Sequence, residues 1–260
     1  MARDNLCALF VLTLVAGGCV LPSFAEAAPP PLRDLETCQR LAQKSPVETL
    51  KRIPEWLGHG GGEQAQLCRA VALFQNGEFA EAGEDFEALA GGGKRNERQI
   101  ADLYDRAAWA FLRAGDGARA DQLYSRALEK QPEDIELLVD RGIGRAESRK
   151  FRDAITDFSA ALKRDRYRPD VYYFRAAAYR ELMDLKNARE DVEQSLRLRP
   201  GYAEALVLRG TVRSLSGDTA GARLDWQEAA RRDPHSPSGI SAAASLKQLD
   251  EAASKPAGKP

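Results

Sequence analysis

The chain has 260 residues, 43% of them hydrophobic and 30% charged, enough apolar material for a folded core. Lys and Arg number 38 against 39 Asp and Glu. This even balance lacks the basic surplus of a nucleic-acid binder, so that class is set aside.

The first 27 residues read as an export signal. Arg3 precedes an uncharged run from Leu6 to Leu21, and Ala25-Glu26-Ala27 supplies small residues for cleavage after Ala27. A second reading stays open. Val15-Ala16-Gly17-Gly18-Cys19 resembles a bacterial lipobox, in which Cys19 is lipidated and becomes the first residue. An uncleaved anchor needs about 20 apolar residues, and Gly17, Gly18 and Pro22 interrupt the run. Either leader places the chain in the envelope of a Gram-negative-type cell: the periplasm, or a membrane surface through Cys19. Cys38 and Cys68 then remain as an even pair in an oxidising compartment and are expected to form a disulfide.

Residues 28–62 form a lead and a helical cap. Leu32, Leu35, Cys38 and Leu41 make the apolar stripe of a short helix. Ser45-Pro46-Val47-Glu48 reads as a capping box that opens a second helix, ending near Leu57 before Gly58-His59-Gly60-Gly61-Gly62.

From 63 to 236 the chain repeats itself five times: 63–96, 101–134, 135–168, 169–202 and 203–236. Ala82, Ala120, Ala154, Ala188 and Ala222 mark the phase, 34 residues apart after a first interval of 38. Phe86, Tyr124, Phe158, Val192 and Trp226 follow four residues later, and Pro132, Pro200 and Pro234 close three repeats. Each repeat reads as two helices. Gly77-Glu78, Gly115-Asp116 and Gly217-Asp218 form the turn, with Arg149-Lys150 and Met183-Asp184 in the same place. Gly91-Gly92-Gly93 with Lys94 to Ile100 reads as a longer connection and a candidate hinge. Ser236-Pro237 opens a capping helix over 237–253 with Ile240, Ala243, Leu246 and Leu249 on its apolar side, and 254–260 reads as a frayed tail.

These offsets resemble the tetratricopeptide repeat. The second repeat carries Tyr104, Ala108, Phe111, Ala120, Tyr124, Ala127 and Pro132 at the family's positions; the fifth carries Leu206, Gly210, Arg213, Ala222, Trp226, Ala229 and Pro234. The third has Arg166 where proline is expected. The resemblance implies an all-α solenoid of helical hairpins, a right-handed superhelix with a concave groove. The physics agrees: one hairpin cannot bury its apolar faces alone and must stack.

Two patterns bear on function. Arg69, Arg141, Arg175 and Arg209 stand at the seventh position of four repeats, with Asp85, Asp157, Asp191 and Asp225 always sixteen residues later. The second repeat has Ala107 and Leu123 in their place. Joint presence and joint absence favour bidentate structural pairs over a basic ladder for acidic ligands. The resemblance also implies which positions line the groove. They give apolar anchors, Phe74, Trp109, Leu112, Ile143 and Tyr173, and an acidic rim, Asp102, Glu136, Asp170 and Glu204. Asp105 falls among the lining positions too. No lysine and asparagine cluster is present for clamping an acidic tail.

The expected partner is therefore an extended or helical protein segment, apolar with some basic residues. The expected role is a protein-interaction scaffold, free or lipid-anchored; a groove for small molecules or glycans is the competing reading. Only His59 and His235 are available as histidines, and no cluster has the spacing of metal ligands or of a nucleophile with its base. No enzyme activity, metal or cofactor is expected.

Overall fold

A computed structural model describes residues 31–254. The expected leader, the Cys19 alternative and most of the tail lie outside the described residues. Thirteen helices make up the described part: α1 Leu35–Lys44, α2 Pro46–Gly58, α3 Gly62–Asn76, α4 Phe79–Gly91, α5 Glu97–Arg113, α6 Gly117–Lys130, α7 Ile135–Glu147, α8 Phe151–Arg164, α9 Pro169–Glu181, α10 Leu185–Leu198, α11 Ala203–Leu215, α12 Thr219–Arg232 and α13 Pro237–Ser254. Helices α3 to α12 are the five hairpins, α1 and α2 precede them, and α13 follows.

Each hairpin closes by the same device. The residue after the first helix adopts a left-handed conformation: Gly77, Gly115 and Gly217 at φ near 86°, and Arg149 and Met183 at 60° and 57°. The next amide reaches back five residues to a carbonyl of the helix, as Asp116 to Phe111 at 2.9 Å and Asp184 to Tyr179 at 3.0 Å. In three repeats that same residue is an aspartate that caps the second helix. Asp116 accepts from the Arg119 amide at 3.0 Å, Asp184 from Asn187 at 3.2 Å and Asp218 from Gly221 at 2.9 Å. One dipeptide thus ends one helix and starts the next.

The hairpins close tightly because small residues meet large ones. Ala120, Ala154, Ala188 and Ala222 are at most 1% exposed. A side chain added at Gly142 would meet the Phe158 ring at 2.6 Å, and one at Gly210 the Trp226 indole at 2.5 Å. The Trp226 indole N–H donates to the Val207 carbonyl at 3.2 Å. Between hairpins the chain uses the same four-residue connection at 131–134, 165–168 and 199–202. Arg166 in place of proline leaves that length unchanged, since Pro169 opens α9.

First helices also approach the first helices of the next repeat, α5 to α7, α7 to α9 and α9 to α11. Second helices make no comparable contact. Within residues 32–254 the first helices therefore line the inner, concave side.

Two expectations are corrected. Ser45 precedes α2 but its side chain makes no capping bond, so the capping box is not formed. The Ser45 backbone is instead engaged: its amide donates to Leu41, and its carbonyl accepts from the Thr49 amide and hydroxyl at 3.0 Å. The connection after the first repeat is also shorter than read. Asn96 and Gln99 form a reciprocal capping box, so α5 begins at Glu97 and the loop is only 92–96. Arg95 ties this loop to Glu63 of α3 at 2.9 Å, which restrains the segment read as a hinge.

Cys38 of α1 and Cys68 of α3 are joined as a disulfide with Cα atoms 6.1 Å apart, in a small cluster with Leu32, Ile53, Trp56 and Ala65. Because the bond ties the leading helices to the first hairpin, replacing both cysteines by serine is expected to cost about 3 kcal/mol. The loss should be confined to α1 and α2. Amide exchange resolved by residue checks this: acceleration over 35–58, with protection kept in α5 to α12, is the expected result.

Candidate functional site

The arginine–aspartate pairs join the two helices of a repeat. Arg141 grips Asp157 with Nε and Nη2 at 3.0 and 2.7 Å, Arg175 grips Asp191 at 2.7 and 2.8 Å, and Arg209 grips Asp225 at 3.0 and 2.6 Å. The remaining nitrogen of Arg141 and Arg175 donates to Ser125 and Ser159 of the preceding repeat, at 3.1 and 2.9 Å. Each of these arginines thus joins both helices of its own repeat to the repeat before. Arg145 and Arg213 add further bonds to Asp157 and Asp225, at 2.7 and 2.8 Å. They stand where the family pattern has an aromatic, and the sequence reading did not anticipate their bonds to the aspartates.

Arg69 departs from the expected bidentate form. It makes one bond to Asp85 at 3.0 Å and leaves Asp85 Oδ2 buried without a partner. Burial pushes the Asp85 carboxyl above its ordinary range. The first repeat has no earlier repeat to brace the guanidinium, and Arg69 stays exposed.

Asp191→Ala, which strands Arg175, is expected to lower stability by about 3 kcal/mol. Adding Arg175→Ala and restoring bulk with Asp191→Leu, as the second repeat does with Ala107 and Leu123, should recover most of it. Urea unfolding of the two variants makes the comparison.

The proposed anchors differ in exposure and packing. Trp109 is 37% exposed on the inner face of α5. Ile143 is half-buried against the core. Tyr173 is half-buried too, its ring 5.4 Å from those of both Phe174 and Tyr202. Phe74 packs edge-on against Phe79 at 5.2 Å. Leu112 is a correction: it is buried within the core, its methyls set against the backbone of Gly144, and it offers nothing to a ligand.

The acidic rim is interrupted as well. Arg168 holds Glu136 at 2.5 Å and Asp170 at 2.7 Å. Asp102 instead lines a cleft of about 290 Å³ with Glu63, Gln64, Leu67, Arg95 and Arg106. The cleft opens beside the loop 92–96, where the first helices do not approach each other as they do farther along.

What the structure places at the centre of the inner face is a different group. Asp105 stands one helical turn before Trp109 on α5. It interacts with Asp140 of the facing α7, and both act on Tyr124 of α6. The Tyr124 ring would lie 3.3 Å from a side chain added at Gly144, one turn beyond Asp140. Tyr124 is 1% exposed, and its hydroxyl has no hydrogen-bond partner. Burial is the main influence on both carboxyls. It raises Asp105 to about 7, with Asp140, Asp102 and Asp134 adding repulsion, and Asp140 to about 6, with Glu136 and Asp134 adding theirs. Arg106 and Arg168 pull the other way, but Arg168 is already engaged by Glu136 and Asp170. Burial, with Asp105, Asp140 and Glu147, also raises the Tyr124 phenol.

Of the fifth positions of the repeats, only this one is charged: Leu67, Val139, Tyr173 and Val207 are its equivalents. Asp140 replaces Cys68, Phe174 and Leu208 in the same way, while Arg106 occupies the sixth position of the second repeat. The sequence reading placed Asp105 among the lining residues but passed over Asp140, and it treated Tyr124 only as a core aromatic.

The sign of the pH effect follows. Between about pH 4 and pH 7 the folded chain keeps protons that the unfolded chain has released, so stability falls as pH rises through that window and levels off above it. Asp105→Asn is expected to raise the melting temperature near pH 7.5 and to leave it unchanged near pH 4, read by thermal melts at both.

Among the described residues, no group of three or more His, Cys, Asp or Glu side chains is arranged to hold a metal ion, and no helix is long and apolar enough to cross a membrane.

Comparison with known proteins agrees with this architecture. Residues 139–203 and 178–237 match the family model described as Tetratricopeptide repeat. Tetratricopeptide repeat protein 36 of Danio rerio is 37% identical over 114 residues, covering 42% of this chain and 59% of that protein. Its counterpart in Xenopus tropicalis is 37% identical over 118 residues, 44% of this chain and 57% of the relative. The chain thus spans less than two thirds of the length of these curated relatives. Among solved structures, one of MamA covers 77% of this chain and 100% of its own, with a TM-score of 0.56 at 14% identity. YrrB, described as having an unusual peptide-binding site, covers 66% of this chain and 88% of its own, with a TM-score of 0.54 at 18% identity. At such identities the likeness is one of fold. Residues 139–237 thus resemble the tetratricopeptide repeat, and the described residues have the all-α solenoid fold of the solved structures compared.

Proposed function

We propose that the chain is an exported protein-interaction scaffold whose inner face takes an extended or helical segment of a partner protein. The observation that carries this reading is Trp109, a large aromatic left 37% exposed on an inner helix while Leu103, Tyr104, Phe111 and Leu112 of α5 are buried. Exposed aromatics backed by a rigid core are the usual anchors of protein interfaces. The fold supports the same reading, since stacked hairpins build long concave surfaces. YrrB, which shares it, is described as binding peptide.

Export rests on the leader read in residues 1–27, and the Cys38–Cys68 bond fits an oxidising compartment. The Val15–Cys19 motif favours a second reading, in which the same scaffold is anchored to a membrane through Cys19. Detergent partitioning and intact mass distinguish the two.

The direct test is capture from cross-linked envelope extract with the wild-type chain and with Trp109→Ala, Tyr173→Ala. A protein retained by the wild type and lost by the folded variant is the expected result. Equal recovery would move the interaction away from the inner face.

A further inference from the structure

We propose that Asp105, Asp140 and the Tyr124 hydroxyl, beside Trp109, form a seat for one cationic side chain, a lysine or arginine of the bound segment. The inference rests on the groove reading above and assigns one point of it.

Three independent features converge on this seat. First, it costs the free protein. Asp140 of α7 lies near enough to Asp105 of α5 to repel it, and neither carboxylate has a hydrogen bond or ion pair with a cation. Elsewhere in the array buried aspartates are neutralised: Asp157 and Asp225 by two arginines each, Asp191 by Arg175. An acidic pair kept unneutralised at the centre of the inner face is destabilising unless something brings a positive charge.

Second, Tyr124 leaves a buried hydroxyl unsatisfied beneath the pair. Such a group is rare in folded proteins and marks a missing partner. Its oxygen can accept a hydrogen bond from an ammonium or guanidinium N–H. Gly144 gives the Tyr124 ring its place, since an added side chain there would press on it at 3.3 Å.

Third, Trp109 stands one turn from Asp105 with its ring partly open to solvent. A cation seated between the carboxylates and the indole gains both charge pairing and the attraction of the ring face. The seat has only two carboxylates and a phenol, and it is not among groups arranged to hold a metal ion. An organic cation on a flexible stem fits it better, because the stem can lie along the apolar surface beside Ile143.

The test pans a phage-displayed library of random dodecapeptides on the full chain and, in parallel, on the Asp105→Asn, Asp140→Asn variant, which should fold at least as stably. The expected result is a family of wild-type-selected peptides with lysine or arginine at one fixed place among apolar residues. Synthetic versions should bind the variant at least about tenfold more weakly. Replacing the basic residue by norleucine should cause the same loss on the wild type and no additional loss on the variant. Tyr124→Phe should weaken binding without lowering the melting temperature, since its hydroxyl makes no bond in the free chain. If selected peptides carry no fixed basic residue, or the norleucine versions bind equally well, the seat is wrong while the groove reading stands. If no peptide is enriched, the groove reading fails and the seat with it.

Discussion

Close approach of the two helices in each hairpin is the constraint on which the rest of this structure depends. It requires a residue without bulk on one helix facing a large ring on the other. Ala120, Ala154, Ala188 and Ala222 are almost fully buried, and Gly142 and Gly210 have no room for a side chain beside Phe158 and Trp226. Once that distance is fixed, the apolar faces of a hairpin exceed what it can cover itself, and the next hairpin must cover them. The cluster of Cys38, Ile53 and Trp56 meets this demand at one end, and the packing of α13 on α12 meets it at the other.

Hydrophobic stacking alone would leave the angle between repeats loosely set. Arg141 and Arg175 supply direction, because each guanidinium holds an aspartate of its own repeat and a serine of the one before. Planar, forked bonds tolerate little rotation. The second repeat does without them by burying Ala107 and Leu123 instead, so the ionic and apolar solutions occupy equivalent positions in one array. The first repeat, with no repeat before it, holds its pair less completely.

Against this ordered background the centre of the inner face stands out as a local conflict. The buried Asp157, Asp191 and Asp225 are each matched by arginine, while Asp105 and Asp140 repel without an ion pair and Tyr124 has an idle hydroxyl. Sequences that satisfy their own rules at most positions tend to break them where a ligand is handled. The conflict lies between the second and third repeats, the second of which also exposes Trp109, and these features support a groove with one point of fixed charge preference.

The repeat period, the hairpin turns and the paired arginines and aspartates were all legible in the sequence. They recur at fixed offsets, and local rules of capping and helix spacing translate offsets directly into contacts. Even Arg149 and Met183 could be placed in the left-handed turn by phase alone. Other features were not legible because they depend on which side chains from different repeats converge. Phase did not reveal that Arg168 would neutralise Glu136 and Asp170, that Leu112 would turn inward beside Gly144, or that Ser45 would leave its helix uncapped. A period of 34 determines that a stack forms and which face of each helix is inside. The meeting of Asp105, Asp140 and Tyr124 comes from three helices in two repeats, and only the packing of those repeats brings them together.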